Sequence, residues 1–262
     1  MNKEDLLKLA KNDQFISGIY NYCDRWCECC SFTSRCMNFA MVDEQFPDQE
    51  SHDIRNEAFW QRLSETFQMT LELVQEMAER EGIDLDAVDI EEQAEQESLN
   101  DELARTHKCC RMGKAYSEMV EEWFDAAKEF SEKSEDAIEI EIQVRDPFGK
   151  SASCNEALEV IRWYQDQIHV KLMRAVRGTL REQHESFDEF AKDSDGSAKV
   201  ALIGIDRSIG AWGELRTCFF EHEDKILDIL VHLEGLRRNV EEVFPAAREF
   251  IRPGFDKVDL NS

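Results

Sequence analysis

Residues 155–180, NEALEVIRWYQDQIHVKLMRAVRGTL, contain no proline, and their only glycine is Gly178. Val160, Ile161, Trp163, Ile168, Leu172 and Val176 fall on more than one side of a 3.6-residue helix. A helix that is apolar on several sides must be surrounded by others. That demand constrains the chain more than any other feature, because it calls for a bundle with this helix at its centre.

Four further stretches supply partners. In NEAFWQRLSETFQMTLELVQEMAER, residues Phe59, Leu63, Phe67, Leu71, Val74 and Ala78 recur at spacings of three and four. CRMGKAYSEMVEEWFDAAKEF carries the stripe Met112, Ala115, Met119, Trp123, Ala127 and Phe130. SAKVALIGIDRSIGAWGELRTCFF and DKILDILVHLEGLRRNVEEVFPAAREF follow, with Pro245 interrupting the second. Only 4 Pro and 11 Gly stand among 262 residues, which favours long regular elements over turns. The expected fold is an all-α, single-domain helical bundle of about five to six helices over residues 1–262.

Two stretches depart from this pattern. Residues 79–102 hold eleven acids and one arginine and read as a solvated acidic connection. The oxygen spacing and turn glycine of a cation-binding loop are absent there. Residues 137–145 alternate: Ile138, Ile140, Ile142 and Val144 on one side, Glu139, Glu141 and Gln143 on the other. Period two predicts a short extended segment, which would need an outside partner such as its copy in a homodimer.

The charge narrows the partners. There are 57 acidic and 31 basic residues, a net −26. Nucleic acid and anionic membranes are disfavoured, since both need cations on the protein. No window approaches 18 uncharged apolar residues, and the opening MNKEDLLKLAKNDQF lacks the apolar core of a signal peptide. The expected location is cytoplasmic, where thiols stay reduced.

That expectation matters for YCDRWCECCSFTSRC, which places five of nine cysteines within the N-terminal segment 20–40. The selection Cys23-x3-Cys27-x2-Cys30-x5-Cys36 stands out. In a continuous helix Cys23, Cys27 and Cys30 share one face, Cys29 points elsewhere, and Cys36 returns after a turn. Four soft thiolates suit a [4Fe–4S] cluster or Zn2+. Two helical turns set Cys23 and Cys30 roughly 10 Å apart in rise, which favours the larger cluster; a broken helix leaves zinc open. The x3-then-x2 spacing is shared with radical-SAM enzymes, but a helical chain cannot build their parallel barrel. Buried inert thiols are the simpler alternative.

Elsewhere, His107, Cys109 and Cys110 cluster in THKCCRMG, while Cys154 and Cys218 look isolated in the core. His169 on the central helix, Asp206 in ALIGIDRSIGAW and His107 are the candidate catalytic residues. A buried Asp206 would need Arg207, Lys171, Arg174 or a metal as partner. His232 resembles His169 in its apolar setting. Asp166-x2-His169 is a single echo of a di-iron carboxylate site, which requires two such units.

The fragments IYNYCDRWCECCSFTSRCMNFAM, IHVKLMRAVRG, GSAKVALIGIDRSIGAW and IRPGFDKV resemble an uncharacterised bacterial protein family with a YCDRWCxxCxFTxRC-type motif. The likeness runs over most of the chain and implies no activity. The family pattern matches at Cys23, Cys27, Cys30 and Cys36. Cys29 departs from it, the family being basic there.

Three functional readings follow. The first is an iron–sulfur redox or sensing protein that uses those four cysteines and meets an electron donor or another protein. The second is an interaction scaffold pinned by zinc. The third is a helical-bundle enzyme with a pocket around His169 and Asp206.

Overall fold

A computed structural model describes residues 3–46, 53–85, 90–131, 151–182 and 193–256. The described residues form eight α-helices and no strand: α1 Lys3–Ala10, α2 Met37–Gln45, α3 Glu57–Glu81, α4 Ile90–Thr106, α5 Lys108–Ser131, α6 Ser151–Glu182, α7 Asp193–Cys218 and α8 Glu223–Val243. The all-α expectation holds, with more helices than the five or six expected. Two of the additions, α1 and α2, are too short to show a period. The third, α4, takes up much of the acidic stretch. It has almost no apolar stripe, so its helical character rests on Glu, Gln, Ala and Leu propensity. The extended segment near 137–145 lies outside the described residues.

The expectation of one domain stands beside a grouping into two compact units. One is Met1–Gln96 with Arg252–Ser262, and the other is Glu97–Ile251.

In the second unit α6 is the central helix. It packs along α7 and against α5, and α8 closes on α5 and α7. Ile161, Tyr164, Ile168, Leu172 and Ala175 on α6 are fully buried, as the all-round apolar pattern required. Two glycines permit close approach. A Cβ at Gly204 would stand 2.8 Å from Tyr164 Cδ1, and one at Gly113 would stand 2.9 Å from Leu172 Cδ1 and 3.3 Å from His169 Cα. Glycine therefore sets the α6–α7 and α5–α6 separations. The aromatic centre joins Trp123 of α5 to Trp212 of α7, edge to face at 5.1 Å. Helix α8 ends at Val243, two residues before Pro245.

A disulfide links Cys154 of α6 to Cys218 at the end of α7, with a Cα–Cα distance of 6.8 Å. These two are therefore not the isolated core thiols expected from the sequence. The antiparallel α6–α7 pairing brings residues 64 apart in sequence together. A disulfide also differs from the all-reduced state expected of cytoplasmic cysteines. No helix among the described residues is long and apolar enough to cross a membrane.

In the first unit α3 begins at an Asn56 cap, which accepts from the Ala58 N–H at 3.0 Å, and stops at left-handed Gly82. Ala78 is buried, but Phe67, Leu71 and Val74 of the same stripe are exposed.

Candidate metal centre

The continuous helix through Cys23–Cys30 does not form. A left-handed Gly18, φ 72°, opens a single 3-10 turn at Ile19–Asn21. Arg25 then takes φ 59°, the only positive φ at a non-glycine among the described residues. A left-handed arginine is costly and reverses the chain between Cys23 and Cys27. A second 3-10 turn covers Cys27–Cys29, Cys30 is extended, a third turn covers Thr33–Arg35, and Cys36 is extended again before α2.

This path brings four of the cysteines to one cavity without a helix. Cys23, Cys27, Cys30 and Cys36 line one small cavity of about 30 Å³, walled by Trp26, Phe32, Phe39 and Phe255. Cys29 is exposed and is not part of the lining. The Cys27 thiol is pushed above its ordinary range, first by burial and then by the neighbouring Cys23, Cys30 and Cys36 sulfurs. The Phe32 N–H donates to Cys30 Sγ at 3.4 Å, and Cys23 Sγ reaches the Tyr20 carbonyl at 3.5 Å. Cys36 sits at the N-terminal end of α2. Among the described residues, no three His, Cys, Asp or Glu side chains are gathered closely enough to hold one ion as they stand.

The C-terminal tail completes the site, a role the sequence reading missed. Phe255 stacks edge-on to Phe32 at 5.1 Å, and Arg252 pairs with Asp256 at 3.0 Å while lying over the Phe255 ring. Gly254 has φ 78°, and a Cβ there would come within 2.9 Å of Ile16 and 3.0 Å of Ile19. The available signal was the pairing of a glycine with an aromatic residue, Gly254 and Phe255, in IRPGFDKV.

The candidate catalytic residues do not converge. His107 caps α5, its Nδ1 accepting from the Cys109 N–H at 3.3 Å, and burial lowers its pKa. His169 donates from Nδ1 to the Cys110 carbonyl at 3.0 Å, and His232 from Nε2 to the Met112 carbonyl at 2.8 Å. His169 and His232 thus tie α5 to α6 and α8. Asp206 is partly exposed rather than buried. It pairs with Arg248 and, at 3.6 Å, with Arg237, instead of Arg207, Lys171 or Arg174. Its position and partners place it in a surface ion network, and it does not line the cavity that His169 borders. Asp166 accepts from the Ser117 hydroxyl at 2.6 Å.

Cys109 and Cys110 are fully buried, and burial pushes their thiols up to about 11 and about 12. At pH 8 a thiol of pKa about 11 is roughly one part in a thousand thiolate. Iodoacetamide on native, metal-free protein is therefore expected to label Cys29 and spare Cys109 and Cys110, read by peptide mass spectrometry. Equal labelling of all three would refute this burial. The sign for stability follows from the same shifts. An unfolded chain ionises these thiols near 9.0 while the fold keeps them protonated, so stability falls as pH rises above about 9.

Comparison with known protein families, curated proteins and solved structures gives no match for this chain.

Proposed function

We propose that the first unit holds a four-thiolate metal centre on Cys23, Cys27, Cys30 and Cys36, serving a redox or sensing role as a [4Fe–4S] protein. One observation carries this: these four sulfurs, and not Cys29, line a single aromatic-walled cavity. The donor set is all thiolate, which suits soft metals. A cubane attaches each thiolate to a different iron, so it asks less closure of the sulfurs than a single ion does. Its chemistry would be one-electron transfer, with the aromatic wall and the Phe32 N–H tuning the sulfurs.

A zinc-pinned scaffold is the second reading. The broken helix permits it, and a cavity of about 30 Å³ favours one ion. Anaerobic purification and reconstitution separate the two. Stoichiometric iron and sulfide, with a band near roughly 400 nm that dithionite bleaches, support the cluster. Colourless protein with one zinc per chain supports the scaffold. Protein that binds neither metal after reconstitution overturns both. A redox role implies an electron-transfer partner, and the acid excess of the surface favours one with a basic face.

A further inference from the structure

The second unit contains a feature at odds with the charge of the whole chain. A cavity of about 660 Å³ lies among the end of α4, the first turns of α5 and the middle of α6. Four bases line it, Arg105, Arg111, Lys114 and Arg177, against two acids, Asp101 and Glu118. In a protein of net −26 this is a local excess of positive charge.

The two acids do not neutralise it. Asp101 is shared between Arg105 at 2.6 Å and Arg177 at 3.2 Å, so one carboxylate serves two guanidiniums. Glu118 meets Lys114 only at 3.6 Å, an exposed i,i+4 pair of little strength. The side chain of Arg111 is exposed, and among the described residues no acid is paired with its guanidinium. His169 adds a polar edge. A carbonyl can only accept, so Nδ1 carries the proton given to Cys110, and Nε2 is left for a ligand. Val170, 55% exposed, and Met173 supply apolar wall for an organic body. The volume falls within the range of small-molecule sites.

We infer that this cavity binds a small phosphorylated organic anion, its phosphate held by Arg111, Lys114 and Arg177. Guanidinium forks match phosphate oxygens, and the lysine adds a point charge. A surface that repels anions elsewhere makes such a ligand's choice of this cavity selective.

The test is calorimetric titration of the full chain at low salt with pyrophosphate and with AMP, using citrate as a carboxylate of similar charge. Pyrophosphate or AMP is expected to saturate one site per chain and to weaken as salt is raised. The double variant R111Q/K114Q changes only exposed side chains. It is expected to lose about tenfold or more in affinity, with its melting temperature unchanged. A Cys27→Ser chain should bind the probes as the parent does, because the cavity lies in the other unit, so this result is independent of the metal reading. Absence of saturable binding by both phosphate probes overturns the inference. So does undiminished binding by the double variant, or saturation by citrate alone.

Discussion

Cys27→Ser is expected to leave less than about a tenth of the parent's metal per chain after anaerobic reconstitution, whereas Cys29→Ser keeps all of it. The two positions are two residues apart in the same 3-10 turn, yet their surroundings are opposite. Cys27 lies in the cavity wall and feels the sulfurs of Cys23, Cys30 and Cys36. Cys29 is exposed on the outer side of the turn. A serine hydroxyl stays protonated at neutral pH and is a poor donor to a soft metal, so one replacement leaves three thiolates and an open position. The measurement is iron, sulfide and zinc per chain by elemental analysis, alongside the visible spectrum. Equal loss in both variants, or full retention in Cys27→Ser, would show that the four-cysteine selection is wrong. The design holds for either metal, since both readings use the same ligands.

The four cysteines that the spacing selects line one cavity, although the backbone path differs from the one expected. A helix places positions 23, 27 and 30 on one face. Three short turns with a reversal at Arg25 bring the same sulfurs to one cavity. Periodicity cannot separate these two paths, and a left-handed arginine carries no sequence signal. The helices of the second unit were readable because burial there is strong and periodic. Ile161, Ile168 and Leu172 obey the pattern closely. Where apolar residues stay exposed, as at Phe67 and Leu71 of α3, the same pattern forecast a helix correctly but not its burial. Helix α4 was hidden for the opposite reason, since a helix without an apolar stripe shows no period. Long-range pairings were beyond reach. Asp206 finds Arg248 from 42 residues away, and Phe255 finds Phe32 from the far end of the chain. Local sequence proposed nearer partners for the first and none for the second.

Trp212→Ala should cost about 4 kcal/mol. Trp212 is fully buried on α7, with 0% exposure. It meets Trp123 edge to face at 5.1 Å, and Trp123 in turn meets Phe219 at 5.4 Å. Its Nε1–H donates to the Tyr116 hydroxyl at 3.2 Å, joining α7 to α5. Truncation therefore removes apolar burial and an aromatic contact worth about 1 kcal/mol beyond area. It also leaves a cavity between two helices whose spacing is held elsewhere by close glycine contacts. Gly204 against Tyr164 and Gly113 against Leu172 keep α7 and α5 seated on α6, so the void cannot readily collapse. At about 2–4 °C per kcal/mol for a unit of this size, the melting temperature should fall by roughly 10 °C. Val231→Ala is the matched control. Val231 is 73% exposed on α8, and its truncation should stay within about 0.5 kcal/mol. Thermal melts followed by far-ultraviolet dichroism read both variants, and denaturant midpoints check that the unfolding slope is unchanged. A Trp212→Ala chain that melts within about 1 °C of the parent would show that the aromatic centre does not hold α5 to α7, and the packing of this unit would have to be redrawn.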